Sequence, residues 1–236
     1  MCSSRRPTSR PSLRGLGEDD ARESSDINDL IQARRPGARR LLDVACGTAG
    51  HLRHLRRWYD VVGADIDPGM PTQARLHLPD VELVEADMRR VALGRSFDVV
   101  VCLFSSIGYL RSTDELCAAV GAMADHLNPG GVLIIDGWVR PDAWISGGTT
   151  EVTTAITDEV KVVRMSRSRR QGQRTFLEMH HLVDTAQGVE CLVDHHELTL
   201  FAAADYEAAL STSGLGVDIV DSPVPGRDRY MGSKAP

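Results

Sequence analysis

The sequence predicts an α/β protein: a mostly parallel sheet flanked by helices, with an antiparallel β meander inserted near its end. Two observations predict it. From about Asp19 to Asp136, short apolar runs rich in Val, Ile and Leu alternate with segments of helical periodicity, the rhythm of a parallel sheet covered on both faces. After Trp138 the rhythm changes, and residues 150–200 alternate in polarity between Gly-rich or polar turns, which is the pattern of an antiparallel meander.

The elements follow in order. Met1 to Gly15 carries Arg5, Arg6, Arg10 and Arg14 with no acid and few apolar residues; residues 1–18 are expected to be disordered. Residues 19–236 are expected to form one domain, with the meander inserted at about 148–200. Ile27, Leu30 and Ile31 sit at helical spacing, and Pro36-Gly37 ends that helix. Arg40 to Ala45 reads as a buried strand ending at Cys46-Gly47. His51 to Trp58 is expected to be a helix, with Leu52, Leu55 and Trp58 on one face. Val61 to Asp65 is a second strand. A helix is expected within Pro68–Leu76, with Pro71 forcing a late start. Val81 to Val84 and Phe97 to Leu103 are the next strands. Thr113 to Leu127 is helical, with Leu116, Val120, Met123 and Leu127 along one face. Asn128-Pro129-Gly130-Gly131 is read as a turn before a strand at Val132–Asp136. Beyond the meander come a helix at Asp205–Ser213, a strand at Val217–Val220 and an edge strand at Tyr230-Met231.

Composition narrows the function classes. The 236 residues are 42% hydrophobic and 25% charged, with a formal charge of −6, an ordinary globular balance. That charge argues against a general nucleic-acid or membrane-surface role. No apolar run reaches the ~18 residues of a transmembrane helix. The five cysteines are scattered and form no CxxC pair, so neither zinc nor a disulfide framework is suggested, and a reduced cytoplasm is the simplest compartment.

The chemistry-bearing residues lie just after strands, where open α/β sheets bind ligands. Asp43-Val-Ala-Cys-Gly-Thr-Ala-Gly50 places an acid at a strand end before a Gly-containing turn. Gly47 permits close backbone approach, and Asp43 suits an ammonium group. A dinucleotide site would want G-x-G-x-x-G and no acid beside the pyrophosphate, so a cationic, amino-acid-like ligand fits better. Asp65 ends the second strand, where a carboxylate can accept both hydroxyls of a ribose. Asp87-Met88 follows the third strand; Asp87 can accept from an adenine amine and Met88 can lie on the ring. Three acids after three successive strands make a coherent nucleoside site.

These residues carry a resemblance. LLDVACGTAGHL, VVGADID, EADMR, FDVVVCLFSSIGYL and LNPGGVLIIDGW are similar to the successive motifs of class I S-adenosylmethionine-dependent methyltransferases. FSSIGYL, RTFLEMHHLV, DHHELTLF and the ending PGRDRYMG further resemble the deoxyaminosugar N,N-dimethyltransferases, which act on dTDP-linked aminosugars in macrolide antibiotic biosynthesis. The resemblance spans about Gly15 to Gly232. It implies a Rossmann-like, mostly parallel seven-stranded sheet, S-adenosyl-L-methionine as cofactor and a nucleotide-linked aminosugar as substrate. It assigns Asp43, Ala45 and Gly47 to the methionine part of the cofactor, Asp65 and Ile66 to the ribose side, Asp87 and Met88 to adenine, and Phe104 to the pocket where donor meets amine. Ser106 and Tyr109 become the catalytic candidates. Ser105, Tyr109, Trp138, His180 and Arg227 become the substrate-binding ones, Arg227 for a diphosphate, which its bidentate fork suits. The resemblance departs at Ala49, where the family usually has glycine and an added methyl stands near the expected cofactor. It departs again at Gly17–Asp20, in place of a tyrosine-containing closing segment.

His180-His181 and His195-His196, with Glu178, Asp194 and Glu197, raise the question of a metal. Neighbours on a strand point to opposite faces, so each pair offers at most one ligand per face, and no metal is expected; one inward histidine contacting substrate is the better reading. The apolar positions of the same strands suit a homodimer surface. Two other functions stay open: methylation of a different small metabolite, and a non-catalytic methyltransferase-like partner subunit.

Overall fold

The computed structural model describes residues 20–145, 150–156 and 160–236; the segment 1–18, expected to be disordered, lies outside the described residues, as do residues 146–149 and 157–159. The chain runs α1 (Asp20–Arg34), β1 (Arg40–Val44), α2 (Leu52–Leu55), β2 (Asp60–Asp65), α3 (Gly69–His77), β3 (Glu82–Glu85), β4 (Phe97–Cys102), α4 (Thr113–Asp125) and β5 (Leu127–Asp136). Four strands follow, β6 (Thr150–Ile156), β7 (Lys161–Gln171), β8 (Arg174–Thr185) and β9 (Gly188–Thr199), then α5 (Ala203–Thr212), β10 (Leu215–Asp221) and β11 (Asp228–Lys234). A 3₁₀ turn, Ser106–Tyr109, links β4 to α4.

Seven strands form one sheet in the order β10-β11-β5-β4-β1-β2-β3. All neighbours are parallel except β11, which is antiparallel to both β10 and β5. The period of two divides side chains between two buried layers. Leu42, Val44, Val100 and Cys102 face α4 and α5, whose Leu116, Val120, Met123 and Tyr206 complete that layer. Leu41, Val99 and Val101 face the other way, against Ile27 and Ile31 of α1 and Leu52 and Leu55 of α2. Both layers are dry, so strands buried on both faces read as continuous apolar runs in the sequence.

Four local expectations are corrected. The helix expected over His51–Trp58 is α-helical only over Leu52–Leu55. Its end tightens, as Arg57 N–H donates to His54 O and Trp58 N–H to Leu55 O, so Trp58 is left 42% exposed and Tyr59, 4% exposed, takes the buried position. Pro71 does not delay α3, which begins at Gly69, because in the first turn a missing N–H costs nothing. Residues 128–131 are no free turn. They are carried within β5, whose register on β4 shifts between the Phe97–Leu127 and Val99–Val132 pairs, a bulge that Gly130 at φ +71° accommodates. Finally, Tyr230-Met231 is no edge. β11 lies inside the sheet with both residues fully buried, Tyr230 stacked 3.9 Å from Tyr206, and β10 is the edge strand.

The remaining strands make a separate antiparallel sheet, β6-β7-β8-β9. It is tied to the large sheet where β9 returns to the domain. Thr199 Oγ1 donates to Leu110 O (2.6 Å), and Trp138 Nε1 donates to Thr175 Oγ1 (3.0 Å), which donates to Leu198 O (3.1 Å). Register sets the faces: Thr175, Leu177, His181 and Val183 of β8 share one with Leu198, His196, Asp194 and Leu192 of β9. That face meets the domain. The other carries Val152, Met165, His180 and Val193 in one row and Val163 and Leu182 in the next.

Candidate active site

Two loops at the carboxyl ends of β1 and β4 line a cavity that is open to solvent on one side. Both are wound through left-handed backbone at residues that are not glycine: Ala45 (φ +64°) and Ala49 (φ +64°) after β1, and Phe104 (φ +56°) and Ser105 (φ +57°) after β4. Such conformations cost roughly 1–3 kcal/mol each and persist only where surroundings enforce them. Cross-links do so here. Cys46 N–H donates to Ala64 O (3.0 Å), and Gly47 N–H to Asp65 Oδ2 (2.8 Å). On the other loop Phe104 N–H donates to Asp136 Oδ2 (3.2 Å), and Ser105 Oγ to Gly137 O (2.8 Å). The methyl of Ala49 does not press on the cavity. It is fully buried among Ile27, Leu52 and Leu55, which explains how alanine stands at a glycine-like position.

Of the expected residues, Asp43, Ala45, Gly47, Phe104 and Ser106 line the cavity together, joined by Asp20, Cys46, Thr48, Gly50, His51 and Leu103. Asp43 dominates its electrostatics. Its side chain is buried and its Oδ1 has no hydrogen-bond partner among the described residues. Burial raises its pKa to about 7; His51 pulls downward, and Asp65 and Asp136 push further up. Asp20, at the start of α1, is also raised by burial. His51 Nε2 pairs with Glu23 Oε2 of α1 at 2.9 Å. Burial disfavours its charged ring, yet the Glu23 hydrogen bond and the Asp43 and Asp20 carboxylates outweigh that and raise its pKa.

The residues expected on the nucleoside side stand along the ends of β2 and β3, outside the cavity lining. Asp65, 8% exposed, accepts from Gly47 N–H and, through Oδ1, from Asp67 N–H (2.9 Å), so it braces both turns. Ile66 beside it is 57% exposed. Asp87 accepts Arg89 Nε (3.0 Å) and Nη2 (2.7 Å), while Arg89 Nη1 reaches Glu115 Oε1 (2.6 Å) at the start of α4. These Arg89 hydrogen bonds hold the Asp87 carboxyl below its usual range against the effect of burial. Met88 packs half-buried on the core.

The acceptor-side candidates cluster around β9. The Arg227 guanidinium lies over the Trp138 ring, its Cζ 4.3 Å from the centroid, with Nη1 3.5 Å from Ser105 Oγ. The Tyr109 hydroxyl is 2.6 Å from His196 Nδ1. His180 is not part of this cluster; it lies on the outward face, 2.6 Å from Glu178 Oε1. The histidine brought to Tyr109 is His196, and His181 is buried facing Asp194 at 3.4 Å. Sequence reasoning missed Asp20, Glu23, His51 and Asp136, and passed over His196 for His180. His51 alone carried a local signal, directly after the Gly47–Gly50 turn.

Residues 41–131 match the family described as a methyltransferase domain. With the fold and the glycine-turn cavity, this makes the chain an S-adenosylmethionine-dependent methyltransferase. More narrowly, it belongs to the dTDP-aminosugar N,N-dimethyltransferase family. It is 43% identical over 227 residues, 94% of each chain, to the dTDP-3-amino-3,4,6-trideoxy-alpha-D-glucopyranose N,N-dimethyltransferase of Streptomyces venezuelae. The crystal structure of DesVI from Streptomyces venezuelae superposes with a TM-score of 0.89 at 42% identity, covering 94% of both chains. That of CalS10 from Micromonospora echinaspora, an amino pentose methyltransferase of calicheamicin biosynthesis with bound S-adenosylmethionine, gives 0.85 at 37% identity, covering 95% of both.

Proposed function

We propose that the protein N-methylates, and in two rounds N,N-dimethylates, the ring amine of a dTDP-linked deoxyaminosugar in antibiotic biosynthesis. The observation that carries this reading is the buried Asp43 with an unpartnered Oδ1 on the wall of the cavity. A buried carboxylate without a partner is costly, and the ammonium of an amino-acid-like ligand supplies what it lacks. The residues fit the cofactor: Asp43, Ala45 and Gly47 would hold its methionine end, Asp65 and Ile66 its ribose side, Asp87 and Met88 its adenine.

Bound there, S-adenosylmethionine supplies a methyl group on an already activated sulfonium. The chain's own residues then have to bring the acceptor nitrogen into line, and such alignment lowers barriers by roughly 7–11 kcal/mol. Arg227, pre-oriented by its stack on Trp138, takes the diphosphate through its fork. Ser105 fixes the loop through Gly137 O. Ser106 and Tyr109 stand beside the amine, and the Tyr109 oxygen takes up its proton as the phenol's own proton passes to His196 Nδ1, 2.6 Å away, so that the lone pair is free. No stronger base is needed, and the same arrangement serves a second round once the monomethyl amine turns.

The exposed apolar side chains on the outward face of the four-stranded sheet, Val152, Ile156, Val163, Met165 and Leu182, support a homodimer, a patch of a kind that marks association surfaces. The cytoplasm is proposed as its place, in keeping with relatives named for dTDP-linked substrates. Mass spectrometry of products from a panel of dTDP-linked 3-amino and 4-amino sugars tests the substrate. The mass of one and then two methyls added to one sugar is expected, and no methylated product on any of them contradicts the proposal.

A further inference from the structure

The cavity wall near Asp43 is strongly acidic, with Asp20 and Asp43 lining it and Glu23 just behind. Among its described lining residues, His51 is the one basic side chain. An amino-acid end carries a carboxylate as well as an ammonium. Acids alone would attract the second and repel the first, by several kcal/mol at contact in a partly buried site. A donor close to Asp43 is therefore needed, and a charged one serves best.

Resting on the methyltransferase reading, we propose that His51, held by Glu23, receives the carboxylate of the cofactor's amino-acid end while Asp43 takes its ammonium. The geometry carries this. His51 side-chain exposure is 13%, and its Nε2 is engaged by Glu23 at 2.9 Å, which leaves Nδ1 as the remaining donor of a charged ring. Asp43 and Asp20 keep that ring charged from the cavity side, and Glu23 does so from α1. Glu23 contacts the cofactor only through His51 and is a positioning residue. On this account α1 is part of the site as well as a cover for the sheet: it fixes the ring that balances the charges on the ligand.

The test is binding, read by calorimetric titration of the full chain with S-adenosylmethionine and with its decarboxylated form, which keeps the ammonium, sulfonium and adenosine. The wild type is expected to prefer the intact cofactor by roughly 10- to 100-fold, the worth of one charge-assisted hydrogen bond. His51→Ala is expected to erase that preference by weakening the intact cofactor far more than the decarboxylated form, which loses only the support that His51 gives to the charge of Asp43. Glu23→Gln is expected to reduce the preference partway, and it carries the same comparison if His51→Ala fails to fold. A preference that survives undiminished in the variants, or a wild type with none, overturns the assignment. A wild type that binds neither ligand overturns the methyltransferase reading and this inference with it.

Discussion

Replacing Asp43 by Asn exchanges a buried acid for a neutral near-isostere, and the cost of that acid can be worked out. Its folded pKa of about 7, against 3.8 in an exposed chain, means the folded state binds more protons than the unfolded state between those values. Stability contributed by the protonated form is therefore full below about pH 4 and is lost as pH rises towards 7. The complete loss is ~4 kcal/mol, of which more than half falls between pH 5 and pH 8. Asn carries no such dependence. Whatever contacts its amide makes cancel when the two proteins are compared at two pH values. Urea unfolding of the cofactor-free proteins at both pH values measures the difference. The stability of Asp43→Asn relative to wild type is expected to rise by about 2–3 kcal/mol from pH 5 to pH 8. A relative stability that stays flat with pH, or falls, refutes the reasoning that this carboxylate is held at a cost for its ligand.

Four further outcomes follow from particular contacts. In Ala49→Gly, relief of left-handed strain (~1–2 kcal/mol) opposes a lost buried methyl (~0.8) and added chain entropy (~0.5–1), so thermal unfolding should show a net change under about 1 kcal/mol. Ala49→Val, a branched side chain at the same φ, should instead destabilise clearly. Thr175→Val strands the Trp138 indole N–H and is expected to cost about 1–3 kcal/mol in the same assay. Arg227→Lys keeps the charge but loses the fork and the stack on Trp138, so steady-state kinetics should show KM for the nucleotide sugar raised roughly 10-fold or more, with kcat changed far less.

Much of the fold was legible because its strands are buried on both faces and therefore read as apolar runs. The seven-stranded count, by contrast, came from the family resemblance. β11 escaped because local pattern says nothing about where a strand is inserted, and its central place depends on packing Tyr230 against Tyr206. The last turn of the helix at His51 escaped because it had to tighten to deliver Tyr59 into the core. At the site, Asp43, Gly47, Asp65 and Asp87 were legible from their places after successive strands. The Glu23–His51 pair was not, since nothing in the spacing joins a residue of α1 to one 28 positions on. His180 was preferred over His196 because sequence shows the alternation along a strand but not which face meets the domain. Ala49 looked obstructive until the direction of its methyl was known.

The stability that Asp43 forfeits should reappear as affinity. Calorimetric titration of wild type and Asp43→Asn with S-adenosylmethionine at pH 8 tests this most directly. Saturable one-site binding by the wild type is expected, with a loss of roughly 10- to 100-fold or more in the variant, although the variant has gained in relative stability between pH 5 and pH 8. Equal affinity of the two proteins, or no binding by the wild type at millimolar cofactor, would contradict it.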